Sequence, residues 1–389
     1  VNQALSRGIP RGLHLSIMDR WLVNELVGPL LFAITAFTVV SLSVGAMFEL
    51  VRRVVESGLP VSVAVEILGL RLPGFLVLSF PMATLMASLL AFSRLSGNSE
   101  LTALRSVGMS TVRIVAPALA VALLMTGLTF IFNDAIVPRT NALAEVSLRR
   151  ALGKAIATER GKNVVYSRFG RIVDPESGDS FRGLVQLFYA REFIEGEMFN
   201  VTVLDFSRAD ITQMLTADHG VWNEQRALWE FRDGRLVTLS GEEGIATSAR
   251  FDRYFYPLSR GPIEVARLPK DAAQMTLAQA RDAQRLLEDA GDQKAARRLR
   301  VRIQEKLTLP MACLVFGLIG SSLGARPNAR TSRSQGFGIS VVLILVYYIL
   351  SFSFSSLGVK GALTPLLAAW SPVVISLGYG VVLLRLASR

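Results

Sequence analysis

Few side chains in this sequence could carry covalent or metal chemistry. Two histidines, His14 and His219, and one cysteine, Cys313, are spread over 389 residues. A zinc site or a histidine-dependent triad needs several such groups at set spacings, and none is present. One cysteine permits no disulfide within the chain and no CxxC site. The tripeptide Leu-Ser-Gly occurs at Leu95–Gly97 and Leu239–Gly241 and forms part of a nucleotide-binding signature. Three residues recur by chance, and no GxxxxGK[ST] loop exists to cradle phosphates. The sequence therefore assigns no catalytic residue, no metal ligand and no cofactor to this chain.

The remaining candidates are charged residues and one short loop. In the loop at 96–109, Asn98 or Ser99 can cap a short helix. Glu100 falls in its first turn, where a carboxylate complements the helix dipole. Leu101 and Leu104 share a face, Arg105 follows, and Gly108 ends the helix. Two leucines exposed on a loop call for a partner. A second group is basic: Arg52 and Arg53, then Lys294, Arg297, Arg298, Arg300, Arg302 and Lys306. Arginine forks suit phosphate, although snorkelling at a membrane surface is the bland alternative. Tyr347 and Tyr348 fall deep in an apolar run, lining a cavity or packing on a neighbour with a satisfied hydroxyl.

The elements that must position these groups are apolar and long. Hydrophobic residues make up 51% of the chain and charged residues only 19%, below the share usual in soluble domains. Stretches without charge, long enough to cross about 30 Å of hydrocarbon, run from Leu26 to Phe48, Leu72 to Ser93 and Ile114 to Asn133. Three more run from Leu307 to Ala325, Ser334 to Val359 and Gly361 to Leu384. Pro73, Pro81, Pro310 and Pro372 in or near them predict kinks.

Orientation follows from arginine. With both termini and the loops at 94–113 and 325–336 in the cytoplasm, Arg20, Arg94, Arg105, Arg113, Arg326, Arg330, Arg333 and Arg385 all lie inside. The only acids there are Asp19, Glu25 and Glu100. That is the positive-inside pattern. It also accounts for the net charge of +11 without a nucleic-acid partner. The basic cluster leading into the fourth span lies outside and runs against this bias.

Between the third and fourth spans the apolar runs give way to short alternating segments. Asn163–Ser167, Gly183–Tyr189, Phe199–Phe206, Ala227–Arg232 and Arg235–Leu239 read as strands, with turns at Asp174-Pro175, Asp233-Gly234 and Gly241. They predict a sandwich, jelly roll or barrel, with Trp229 in its core and Trp222 and Phe231 as candidates for an apolar groove. Thr276 and Gln279 form a capping box that opens a helix running to about Gly291. The basic stretch then continues as helix into the fourth span. The fold class expected is thus a helical membrane protein with six spans and an inserted all-β domain outside the membrane. Its parts are a mobile extension at 1–17, spans at 18–138, a β domain at 139–272, and a connecting helix with spans at 273–389.

The segment Leu95-Ser96-Gly97-Asn98-Ser99-Glu100-Leu101-Thr102-Ala103-Leu104-Arg105-Ser106-Val107-Gly108-Met109-Ser110 closely resembles the cytoplasmic segment of the lipopolysaccharide export permeases LptF and LptG. The likeness includes Pro81-Met82-Ala83, Pro117 and Pro138, then Leu309-Pro310-Met311 through Leu323-Gly324. Leu363-Thr364-Pro365 and Ala369-Trp370-Ser371-Pro372 complete it, and the order of parts agrees. This resemblance implies that the inserted all-β domain is jelly-roll-like and periplasmic, in a permease that pairs with a second permease subunit, a paralogue or itself, around a cavity. It implies a cytoplasmic ABC ATPase dimer of the LptB type, which would bind the ATP and magnesium. Glu100, Leu101, Leu104, Arg105 and Gly108 would then form the coupling helix. Arg52, Arg53, Arg298, Arg302, Lys306 and Tyr347 would be candidates for contact with the lipid. Lipopolysaccharide would leave the inner membrane, among membrane lipids, for a bridge of jelly-roll proteins of the LptC and LptA type.

Two other classes compete. An intramembrane enzyme would need ionisable groups in the spans, and these are nearly absent. A membrane-anchored bridge or sensor with a periplasmic β domain would need no ATPase.

Overall fold

The computed structural model describes residues 16–57, 59–151, 160–173, 180–194, 196–207, 211–240, 246–258, 272–289, 293–326 and 333–388. The helices are α1 (Ile17–Leu42), α2 (Phe48–Ser57), α3 (Val61–Gly97), α4 (Glu100–Ser106), α5 (Thr111–Ile131) and α6 (Val137–Ala151). After the strands come α7 (Leu277–Asp289), α8 (Gln293–Gly324), α9 (Arg333–Lys360) and α10 (Pro365–Ala387). Six helices are long and apolar enough to cross a membrane, built on α1, α3, α5, α8, α9 and α10. They contain the charge-free runs except for Ala325 at the end of the fourth and residues 361–364 at the start of the sixth, which form a turn, and several extend well beyond the runs. The basic stretch before the fourth run is the first half of α8, as expected. Residues 1–15 of the predicted mobile extension lie outside the described residues. Ser16 caps α1 and exchanges a capping box with Asp19, so the helix already opens at Ile17.

α3 and α8 form the buried centre of the helical part, and small residues let them meet. A methyl group added at Gly320 would stand 2.7 Å from the backbone oxygen of Leu85, and one at Gly324 would stand 2.7 Å from Cβ of Phe92. Gly317 faces Ala122 of α5 in the same way. Such close backbone approach is how helices pack where water supplies no driving force. α1 and α9, by contrast, leave most of their apolar length uncovered.

The prolines at 73, 81, 310 and 372 sit inside continuous helices. Two π-helical segments, Ser43–Met47 and Phe132–Ile136, were not legible in the sequence. The second turns Asn133 and Asp134 toward α7 and α8. Thr276 and Gln279 do form the expected capping box on α7, with Gln279 N donating to Thr276 Oγ1 at 3.2 Å and Thr276 N donating to Gln279 Oε1 at 2.9 Å. Asp134 Oδ1 accepts from Leu277 N at 2.6 Å and so fills another free donor of that helix end.

The β part is one antiparallel sheet with its strands in chain order: β1 (Arg160–Val173), β2 (Ser180–Ile194), β3 (Glu197–Asp205), β4 (Ile211–Asn223), β5 (Leu228–Ser240) and β6 (Ala246–Tyr256). The expected turn at Asp233-Gly234 is absent. β5 runs through it in unbroken register, from Trp229↔Trp222 to Ser240↔Ile211. Asp233 instead takes a φ of 53° within the strand.

That residue belongs to a crease. Ladder pairing lapses along one row, at Asn163, Arg191, Asn200, Asp218, Asp233 and Asp252, while the register on either side is unchanged. Asn200 is also left-handed, with φ 51°. The sheet folds over on itself there. Phe188 lies in register, through Val203 and Leu215, with Leu236 and not with Trp229. In a flat sheet the rings of Phe188 and Trp229 would be roughly 27 Å apart. Their centroids are 5.6 Å apart. Each long strand therefore serves two layers, and one sheet makes its own sandwich. Trp229 and Phe231 are fully buried in it, with Trp222 packed beside them. Trp229 is thus in the core as expected, and Phe231 joins it.

A polar seam closes the fold. Gln186 Nε2 donates to Asp205 Oδ2 at 2.9 Å and to the Tyr256 hydroxyl at 3.0 Å, and that hydroxyl donates to Asp205. Burial pushes the Asp205 carboxyl up, but hydrogen bonds from Ser207, Tyr256 and Gln186 outweigh it and hold it below 3.8. Burial and the Asp205 carboxylate together push the Tyr256 hydroxyl far up. A carboxylate with a lowered pKa stabilises the fold above its ordinary pKa, and that contribution fades as pH falls through the folded value. Amide exchange in β3 and β6 of the full chain is expected to be flat from pH 8 to about 5 and to speed up below about 4 once corrected for intrinsic rates. Asp205→Asn should remove most of that acid sensitivity; an unchanged profile would contradict the seam.

Candidate functional site

The loop between α3 and α5 is built by a tight turn. Ser99 stands at the N-cap of α4 with φ 62°, and its side chain makes no capping bond. Asn98 Nδ2 instead donates to Glu100 Oε1 at 2.9 Å, which fixes the carboxylate at the start of the helix. Gly108, with φ 89°, ends it as expected.

The two leucines differ from expectation. Leu101 is 2% exposed, packed with Phe92, Leu95, Ile114 and Val115, and Leu104 is half-buried against the same cluster. α4 lies back on the ends of α3 and α5, so its apolar face is already covered by this chain. The outward face is Thr102, Ala103, Ser106 and Val107, with Val107 83% exposed. Val107 was missed; an apolar residue just before the terminating glycine was the available signal.

Arg105 also turns inward. Its Nη2 donates to the carbonyl oxygen of Ala325, just past the end of α8, at 2.7 Å. Ser96 Oγ donates to the carbonyl of Arg326 at 2.9 Å. The same end of the bundle is tied by Arg113 to Asp19 at 2.7 Å, Arg94 to Glu25 at 3.1 Å, and Thr111 Oγ1 to the Ala387 carbonyl at 3.4 Å.

At the opposite end the basic residues do not form one open cluster. Arg53 and Arg71 share Glu49, and Arg52 stands 3.7 Å from Glu56. Arg302 pairs with Glu305 at 2.6 Å, and Arg300 with Glu288 at 2.6 Å. Arg298 is exposed and pairs with no acid among the described residues. These pairs are half-open to solvent and individually weak, so an incoming phosphate could exchange for the carboxylate.

Lys306 is committed elsewhere. Pro310 has no N–H, which frees the Lys306 carbonyl four residues earlier. Asn133 Nδ2 donates to that carbonyl at 3.3 Å. In the π segment the Val137 N–H bonds to the Phe132 carbonyl, and Pro138 can offer nothing to Asn133. Lys306 Nζ fills that second vacancy, donating to the Asn133 carbonyl at 3.2 Å. Each side chain thus satisfies a carbonyl that a proline has freed on the other helix.

Tyr347 is buried edge-on against Phe316, with centroids 4.8 Å apart. The buried Tyr348 hydroxyl has no hydrogen-bond partner among the described residues. His219 packs on the edge of Phe199, Cys313 is buried beside Thr129, and His14 lies outside the described residues. Among the described residues no group of His, Cys, Asp or Glu could hold a metal.

Together these elements make a six-helix bundle interrupted by a folded sheet, with a short helix keyed into one end. The model of the family described as "Lipopolysaccharide export system permease LptF/LptG" matches residues 20–386. The chain belongs to the LptF/LptG family. The lipopolysaccharide export system permease protein LptG of Haemophilus influenzae is 26% identical over 237 residues, which cover 60% of this chain and 62% of that protein. The match therefore spans less than two thirds of that relative. The LptF/LptG match runs from the start of α1 through the sheet to the end of α10.

Proposed function

We propose that this chain is the membrane-spanning subunit of an ATP-driven exporter. It would extract lipopolysaccharide, or a similar amphiphilic glycolipid, from the inner membrane and pass it to a periplasmic jelly-roll bridge. The observation that carries this reading is the LptF/LptG match over residues 20–386, which includes the α4 loop. The arginine distribution supports a cytoplasmic position for that loop and both termini. The sheet between α6 and α7 is then periplasmic. Hydrolysis belongs to a separate ABC ATPase dimer of the LptB type, which holds ATP and magnesium. A second permease subunit would cover the apolar lengths of α1 and α9, and LptC- or LptA-type jelly rolls would continue the sheet by strand addition.

The docking face is Glu100 with the outward residues Thr102, Ala103 and Val107. Co-purification of the tagged chain from its native membranes is expected to bring down a soluble P-loop ATPase in near-equal amount. Glu100→Lys should lose most of that ATPase while the chain itself is recovered normally. A wild-type chain that retains no ATPase, under conditions that keep other ABC complexes whole, would overturn the reading. The ATP-independent bridge or sensor would then take its place.

A further inference from the structure

The end of α8 beside the loop exposes carbonyls that no helical N–H can reach. Two carbonyls just past that end are filled from the α3–α4 segment: Ala325 by Arg105 and Arg326 by Ser96. A guanidinium suits the negative end of the helix dipole as well as the carbonyl itself. Gly324 packs closely on α3, since a methyl group added there would stand 2.7 Å from Cβ of Phe92 and 2.9 Å from the Leu89 carbonyl oxygen.

α8 is one unbroken helix of 32 residues, about 48 Å at 1.5 Å per residue. Its far half is wired to the segments around the β insertion. Arg300 pairs with Glu288 of α7, and Lys306 and Asn133 bridge to the α5–α6 junction. Gln304 Oε1 accepts from Trp370 Nε1 of α10 at 3.2 Å. The Arg297 guanidinium lies under Gly361, at the turn between α9 and α10. α6 leads into the sheet and α7 leads out of it.

We propose that Arg105 is a positioning residue that passes movement of the α4 loop to α8, and that α8 acts as the rod carrying it to the base of the β domain. This rests on the reading that α4 receives an ATPase. Arg105 itself does not touch that partner, since its side chain faces Ala325. It sets how much lipid moves for each ATP consumed.

The test uses the full complex in proteoliposomes holding purified lipopolysaccharide, with a jelly-roll acceptor outside. Lipid transferred per ATP hydrolysed is expected to fall on the order of tenfold in Arg105→Met, the scale of one lost charge-assisted hydrogen bond. Arg105→Lys, which can still reach one carbonyl, should recover part of it. The ATPase should co-purify with both variants. Amide exchange over 319–326 should rise in Arg105→Met with or without the ATPase, and Ser96→Ala gives a milder form of the same readout if the methionine variant does not fold. An unchanged transfer ratio, unchanged exchange over 319–326, or loss of the ATPase from Arg105→Met would each overturn the proposal. A wild-type complex without ATPase sinks the function proposed above, and the coupling role with it, whereas the exchange result still reports whether the tie exists.

Discussion

Gly320→Val is expected to leave almost no folded chain in the membrane. The added carbons would point into the backbone of α3, where even one methyl group meets the Leu85 oxygen at 2.7 Å and the Leu89 nitrogen at 3.1 Å. A side chain can rotate away from an intruder, but the backbone of a packed helix cannot. Overpacking commonly costs about 1–3 kcal/mol, and a clash with two main-chain atoms of α3 belongs at or above the top of that range. α3 and α8 would have to separate along their length, exposing Gly317 and Gly324 as well. The recovery of monodisperse chain after gentle extraction checks this. Gly127→Val is the control, because an added methyl there meets nothing within 4 Å. Equal recovery of the two variants would show that α3 and α8 do not form the centre of the bundle.

Trp229→Ala is expected to unravel the sheet while sparing the helices. Trp229 is fully buried and touches both layers of the folded sheet. Its ring stacks on Phe231 with centroids 6.0 Å apart and meets Trp222 at 5.8 Å and Phe188 at 5.6 Å. Removing a buried tryptophan costs about 3–5 kcal/mol. A domain's whole stability is about 5–15 kcal/mol, so the loss is a large fraction of it. Amide protection in β2–β6 should collapse and that in α3 and α8 should persist. Protection retained across β2 and β5 would mean that the two layers do not depend on each other.

How much of this could be read from the residues follows from what each pattern depends on. The spans were legible because a charge inside hydrocarbon is costly, so the runs between Glu25 and Glu49, or Arg71 and Arg94, delimit themselves. The capping box at Thr276 was legible because it is wholly local. β4 was missed because its inward positions include Ala217 and Gly220, too small to make an alternating apolar signal. β6 was missed because most of it is exposed. Asp233-Gly234 has the composition of a turn, and Asp233 does take a left-handed conformation, but it serves a crease across six strands that no single strand reveals. Leu101 and Leu104 were correctly placed on one face of one helix, but whether that face is covered depends on Phe92, Ile114 and Val115. The Asn133–Lys306 exchange depends on two prolines far apart in the chain, each freeing a carbonyl at the same place in space. The inward turn of Arg105 depends likewise on where α8 ends.

The most direct measurement is transfer of lipopolysaccharide from proteoliposomes that contain the purified chain with whatever copurifies from its native membranes. Lipid is expected to leave the vesicles for a jelly-roll acceptor only when ATP and magnesium are supplied, and Glu100→Lys is expected to abolish the transfer. Lipid that moves at the same rate without ATP, or never moves although a bound ATPase turns over, would contradict ATP-driven export.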